Sequence, residues 1–120
     1  MTKLYRLVQD ILSSCGVQEG KEAYVVVHNP PYMDLVIERH IAAGHEYLYV
    51  GHYFEQNGDQ VPDPDVLFVD GKPVELRQTL WSFEVTPQNR ENIESFLNWW
   101  AKNIVYQGFL DNLPMNAEVK

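Results

Sequence analysis

The sequence contains a single cysteine, Cys15, among its 120 residues. One cysteine excludes an internal disulfide and is typical of a reducing compartment, so we expect a cytoplasmic protein. No apolar run approaches the roughly 18 residues that cross a membrane, and we expect no membrane partner. Basic residues are also scarce, 9 against 17 acidic ones, which leaves a formal charge of -8. Because contacts to a phosphate backbone need lysine and arginine, direct nucleic-acid binding is disfavoured.

The motifs of well-known catalytic sites are missing as well. The sequence has no Gly-rich phosphate loop, Gly-x-Ser-x-Gly turn, Cys-x-x-Cys pair or His-Glu-x-x-His motif. We therefore assign no catalytic residue, no metal ligand and no cofactor, and we favour a role other than catalysis. What the chain does have is 45% hydrophobic residues, an ordinary fraction for a globular protein. Its length and composition predict one domain over residues 1–113, followed by a polar tail over residues 114–120.

Two segments have the apolar spacing of an amphipathic helix. The first begins after Thr2, a good N-cap, and ends at Gly16, with apolar residues three and four apart: Leu4, Leu7, Val8, Ile11 and Leu12. The second begins at Thr86-Pro87 and ends at Gly108, about 21 residues later. Its apolar stripe comprises Ile93, Phe96, Leu97, Trp100 and Ile104. Adjacent Trp99 and Trp100 cannot both face the core, so one is expected at an edge or an interface.

The region between these helices favours β-strands, because its segments are β-branched and aromatic and are separated by turn residues. Strands kept apart from helices predict an α+β fold, with one antiparallel sheet of four or five strands and both helices packed on one face. If Ile41 lies opposite Glu46, one sheet face is aliphatic and includes His52, expected to be a hydrogen-bonded core histidine. The other face then carries Tyr47, Tyr49 and Tyr53 among charged residues.

An acidic segment runs from Glu55 to Asp70 and contains no lysine or arginine. Its carboxylates are Glu55, Asp59, Asp63, Asp65 and Asp70. Three interpretations remain open: turn chemistry, which we weigh most heavily, an anionic docking surface, and a site for a hard cation. The segment is not an EF-hand, because Gly58 precedes the acidic run and no glutamate closes a twelve-residue loop.

Two stretches resemble an uncharacterised bacterial family met in plasmid, phage and other mobile-element contexts. They are Asn29-Pro30-Pro31-Tyr32-Met33-Asp34-Leu35-Val36-Ile37-Glu38 and His52-Tyr53-Phe54-Glu55-Gln56-Asn57-Gly58-Asp59, the latter followed by Asp63-Pro64-Asp65. The resemblance spans roughly residues 20 to 110. It implies a bacterial cytoplasmic origin and carries over no catalytic residue.

Two functional hypotheses follow from these patterns. In the first, the chain is a small accessory protein that binds another protein through seven residues: Tyr47, Tyr49, Tyr53, Glu55, Asp59, Asp63 and Asp65. Its partner would be a basic, nucleic-acid-binding protein whose groove this acidic chain occupies as a DNA mimic, a mechanism of defence inhibitors carried by mobile elements. A homodimer is compatible with the same surface.

In the second hypothesis, the chain is a metal-dependent hydrolase or nuclease. It would use Glu55, Asp59, Asp63 or Asp65 together with His52, and these groups would have to converge on one ion. We favour the first hypothesis because the sequence shows no complete set of metal ligands.

Overall fold

The computed structural model describes residues 1–120 as two helices and seven strands. In chain order they are α1 (Lys3–Ser14), β1 (Ala23–Asn29), β2 (Tyr32–Ala42), β3 (His45–Gln56), β4 (Asp59–Val69), β5 (Lys72–Gln78), β6 (Trp81–Glu84), α2 (Arg90–Tyr106) and β7 (Ala117–Val119). Neither helix is long and apolar enough to cross a membrane.

All seven strands form one antiparallel sheet in the order β6-β5-β4-β3-β2-β1-β7. The α+β class and the single antiparallel sheet are confirmed, but four or five strands was an undercount. For the acidic segment we favoured turns as the explanation of its residue types. The turn is confined to Asn57-Gly58, and the residues after it form strand β4. Its Pro62 and Pro64 are tolerated because β5 pairs with β4 only from Asp65 onward, so neither proline has to donate to that ladder, while the Pro62 carbonyl accepts from the Thr79 amide at 2.7 Å.

The C-terminal segment expected as a polar tail, residues 114–120, contains β7. This strand pairs with β1 from Ala117 to Val119. The Asn116 side chain donates to the carbonyls of His28 and Phe109 at 3.1 and 3.2 Å, which fixes the approach to the strand. The polar composition of the segment is compatible with an edge strand, where one side of each residue meets solvent.

Three hairpins close through two-residue turns in which both residues have positive φ. They are Ala43-Gly44, Asn57-Gly58 and Asp70-Gly71, with φ between 49° and 84°. Turns of this kind match the right-handed twist of the paired strands. They set the registers of the three hairpins, including Ile41 opposite Glu46 as predicted.

Both helices pack on the same face of the sheet, as expected. Helix α1 is capped by Thr2, whose Oγ1 accepts from the Tyr5 amide at 3.2 Å. Helix α2 begins at Arg90, later than predicted, because Thr86 and Asn89 exchange side-chain–backbone hydrogen bonds and form a separate turn. The buried core joins the helices to the aliphatic strand residues: Leu4, Val8, Ile11, Leu12, Ile93, Leu97, Trp100 and Ile104 meet Val25, Val27, Leu35, Ile37, Leu48, Val50, Val66, Phe68 and Leu76.

Candidate functional site

The second face of the sheet is covered by no helix, and we call it the open face. Tyr47 lies between His40 and Val69 of the neighbouring strands, and Tyr49 lies between Glu38 and Leu67. Both tyrosines are half-buried. The alternation predicted from the sequence is therefore confirmed, and the tyrosines lie near the middle of the sheet.

Tyr53 also lies on the open face, where it belongs to a polar cluster with Asp65 and Arg77. The Tyr53 hydroxyl donates to Asp65 Oδ2 at 2.7 Å, and Arg77 Nε donates to Asp65 Oδ1 at 2.8 Å. Burial, followed by the hydrogen bond to Asp65, raises the pKa of Tyr53 well above its ordinary value. The hydrogen bond to Asp65 also raises the pKa of Arg77. The cluster is therefore a tyrosine and a cation held around one carboxylate.

Gly51 makes this cluster possible. A Cβ at residue 51 would lie 2.4 Å from the Asp65 Cβ and 3.0 Å from the Tyr53 ring. Because neither neighbour can move away without breaking the cluster, a side chain at this position is excluded. The missing side chain lets the Tyr53 ring lie over the strand, a known way to protect a glycine in a sheet.

The acidic residues predicted to form one surface are divided by the structure. Asp65 is 2% exposed and paired with Arg77, so its carboxylate stabilises the sheet and is not accessible to a partner. Glu55 and Asp59 are exposed beside the Asn57-Gly58 turn. Asp63 lies on the helix side, where it lines a groove against α2. The open face thus keeps Tyr47, Tyr49, Tyr53 and Glu55 of the predicted set.

No three side chains of histidine, cysteine, aspartate or glutamate are placed to hold a metal ion. His52 lies on the helix side, 8% exposed, and its Nδ1 contacts the Asp34 carbonyl oxygen at 3.1 Å. Burial lowers the pKa of His52 below its ordinary value, so the ring is neutral at pH 7. It is the hydrogen-bonded core histidine that the sequence predicts, on the opposite face from the Asp65 carboxylate.

The open face carries more acidic than basic side chains. Strand pairing and alternation place seven carboxylates on it against three lysine or arginine side chains: Asp34, Glu38, Glu55, Asp65, Glu75, Glu84 and Glu118 against Lys72, Arg77 and Lys120. Near β7, His28 bridges two of these carboxylates, with Nδ1 2.9 Å from Asp34 and Nε2 2.8 Å from Glu118. The hydrogen bond to Glu118, followed by that to Asp34, raises the pKa of His28.

Sequence reasoning missed a buried ion pair at the other end of the sheet. Arg39 is 2% exposed, with an N–O distance of 3.1 Å to Glu46. The Tyr5 hydroxyl donates to Glu46 at 2.5 Å, and burial raises the Tyr5 pKa to about 12. Arg39 also donates to the carbonyls of Gln18 and Lys21 at 3.2 and 3.1 Å, which ties the loop after α1 to the sheet. The available signal was a lone arginine at a core-facing position of an alternating strand.

The comparisons with known proteins concern the whole fold. The family model described as a domain of unknown function, DUF6908, matches residues 6–110, a range that contains the sheet from β1 to β6 and all of α2. The chain matches no curated protein and no solved structure. Because the family match covers most of the chain, the resemblance to an uncharacterised domain family is confirmed at that level. The chain belongs to the family DUF6908, a domain of unknown function.

Proposed function

We propose that this chain is a small accessory protein that acts by binding a basic protein through the open face and the hairpin that extends from it. The observation that carries this proposal is the row of three tyrosines on a sheet face that no helix covers. The proposed setting is the cytoplasm of a bacterium that carries a mobile element, with a nucleic-acid-binding protein of a defence system as the partner.

The tyrosines support a binding role because of their chemistry. A tyrosine brings a large apolar ring and a polar tip at low conformational cost, which is why it is enriched in protein interfaces. Tyr47 and Tyr49 are half-buried by their sheet neighbours, so their rings are already ordered before a partner arrives. An ordered contact surface loses less entropy on binding than a flexible one.

The projecting hairpin adds reach and charge to this surface. From Phe54 to Val61, β3 and β4 pair only with each other, because β2 ends its pairing at His52 and β5 begins at Asp65. The exposed carboxylates Glu55 and Asp59 lie at the end of this arm. Together with the acidic excess on the open face, they favour a cationic partner, because complementary charges speed association.

A basic partner that normally holds nucleic acid is the best match to a chain of charge -8. Such a partner has a cationic groove, and an acidic protein with ordered carboxylates can occupy it in place of the phosphates. This mode of action needs no catalytic residue in the acidic protein.

The experiment compares capture of host proteins by the wild-type chain and two tyrosine variants. Tyr49→Ala changes the open face, and Tyr106→Ala changes a tyrosine on α2 that is 90% exposed and far from it. We expect a basic protein that is captured by the wild type and by Tyr106→Ala, and lost with Tyr49→Ala. Double-stranded DNA should displace it from the captured complex. Equal capture by all three chains would count against the proposal. So would a captured protein that double-stranded DNA fails to displace.

A further inference from the structure

A groove of about 200 Å³ lies on the helix side, between α2 and the strands β2, β3 and β4. We call it the α2 groove. Its walls include Tyr32, His52, Asp63, Trp99, Trp100 and Asn103. The hypotheses from the sequence included Asp63 and His52 but none of the aromatic walls, and the groove lies on the opposite side of the sheet from the tyrosine row. Its volume suits one side chain and is below the usual size of a cofactor site.

The aromatic walls of the α2 groove are ordered but partly free. Trp99 is 57% exposed and Tyr32 is 45% exposed, although both are large aromatic residues. Trp99 contacts Phe96 with ring centroids 5.7 Å apart, and Tyr32 contacts Phe109 at 6.3 Å. Their rings are thus held on one side and open on the other. Open aromatic faces attract cations, because the face of the ring carries partial negative charge.

The polar groups of the α2 groove include one carboxylate and two side-chain amides, and each amide offers an oxygen as well as N–H groups. Asp63 supplies a carboxylate, and Asn103 supplies an amide oxygen. His52 is neutral and its Nδ1 points to the Asp34 carbonyl, so Nδ1 carries the proton and Nε2 keeps a lone pair. No lysine or arginine lines the groove. A ligand that offers several donors and a positive charge can pair with the Asp63 carboxylate and the amide oxygens, whereas the carboxylate would repel an anion.

We propose that the α2 groove binds a guanidinium group, the arginine side chain of a protein partner, stacked on Trp99 and paired with Asp63. Guanidinium fits better than ammonium because it is planar, stacks on an aromatic face and presents five donors in one plane. The groove is a second site, separate from the open face. Only the identity of the partner rests on the proposed function, because binding of arginine to the groove can be tested with a small probe.

The test follows the indole N–H signals of the protein by NMR during titration with N-acetyl-arginine methylamide. The uncharged citrulline analogue has nearly the same shape and serves as the matched ligand control, and the lysine analogue tests the preference for guanidinium. The full chain is used, and its three tryptophans give three indole signals. We expect saturable shifts of the Trp99 and Trp100 signals with the arginine probe, weaker shifts with lysine and none with citrulline.

Two variants of the α2 groove have matched controls elsewhere in the chain. Trp99→Ala and Asp63→Asn should each weaken arginine binding by about three-fold or more, as expected for one cation–aromatic contact or one exposed charge pair. Trp81→Ala removes a tryptophan that is 68% exposed on β6, and Asp59→Asn removes a hairpin carboxylate outside the groove. Both controls should bind as the wild type does.

Several results would overturn the assignment. They are equal shifts with citrulline and arginine, tighter binding of the lysine probe, no shift at Trp99 or Trp100, or unchanged binding by Asp63→Asn. None of them depends on the open face. If arginine binds here while Tyr49→Ala still captures every partner, the groove assignment holds and the proposed function fails.

Discussion

The two faces of the sheet differ although they share the same strands. On the helix side, Leu48 and Val50 are fully buried beneath α1 and α2. On the open face, their neighbours Tyr47 and Tyr49 are half-buried by cross-strand contacts alone. The first face stabilises the fold by excluding water from aliphatic side chains. The second presents half-buried rings and carboxylates to solvent, so one strand supplies both a buried core row and an exposed polar surface.

The largest expected effect concerns the helix that covers the first face. Trp100 is 3% exposed and packs on His52, whereas the adjacent Trp99 is 57% exposed. Trp100→Ala should lower the free energy of unfolding by about 3–5 kcal/mol, because it leaves a cavity in the core. Trp99→Ala should cost less than about 1 kcal/mol. Urea denaturation of both variants measures the difference, and similar losses would mean that the two tryptophans do not divide between core and surface.

The next effect sharpens the comparison within one strand. Leu48→Ala should lower the free energy of unfolding by about 2–5 kcal/mol, since Leu48 is fully buried. Tyr49→Ala should lower the free energy of unfolding by clearly less, about 1 kcal/mol. A cross-strand contact on an uncovered face stabilises the fold less than a fully buried side chain does. Thermal unfolding of the two variants is the measurement. A larger loss for Tyr49→Ala would show that the open face is part of the core.

The polar cluster on the open face should have an intermediate effect on stability, of about 1–2 kcal/mol for Asp65→Asn. Losing charged hydrogen bonds would by itself cost more free energy of unfolding. The cost is reduced because the Arg77 side chain is 43% exposed, so water can solvate its guanidinium once the Asp65 charge is gone. Asp59→Asn is the matched control, because this carboxylate is exposed, and its stability should stay the same or rise slightly. If both variants behave alike in denaturant, Asp65 would have no structural role.

The smallest effect is a pH dependence at the His28 contacts with Glu118 and Asp34. The pKa of His28 is raised in the folded state, so protonated His28 stabilises the fold. This contribution to the free energy of unfolding is fully present below about pH 6.5 and is lost as the pH rises through the folded pKa. The pKa of Glu118 is lowered by His28, so its contribution is lost as the pH falls through that folded pKa. His28→Gln should therefore lower the melting temperature more at pH 6 than at pH 9. An NMR titration that gives His28 an ordinary pKa would contradict this.

Much of the fold follows from local patterns in the sequence. The apolar spacing after Thr2 predicts α1, and the alternation across Ile41 and Glu46 predicts both the register and the two faces. The Asp70-Gly71 hairpin also follows from its residue types. A two-residue turn of this kind needs a positive φ at both positions, and aspartate and glycine adopt it more readily than most residues. The pattern also predicts that the two adjacent tryptophans divide between core and surface. These features depend on residues close together in the chain.

The features that were missed depend on distant contacts. Strand β7 forms because its residues meet β1, about ninety positions earlier in the chain, and its own composition carries no strand signal. Ala43 takes a φ of 52° in a two-residue turn, a value that few non-glycine residues adopt and that its residue type does not predict. The pairing of Asp65 with Arg77 could not be predicted, because β4 and β5 change register between Leu67 and Phe68 and this decides which β5 residue lies opposite Asp65.

The most direct test of the open face places a photo-cross-linking residue, p-benzoylphenylalanine, at position 49 or at position 106 of the chain in the host. Tyr49 lies on the open face, and Tyr106 is 90% exposed on α2. If the open face is the interface, position 49 forms a cross-link to one basic protein, with or without a second one from position 106, which is next to Gln107 of the α2 groove. A cross-link to that protein from position 106 alone would place the interface on the helix side and contradict the proposal.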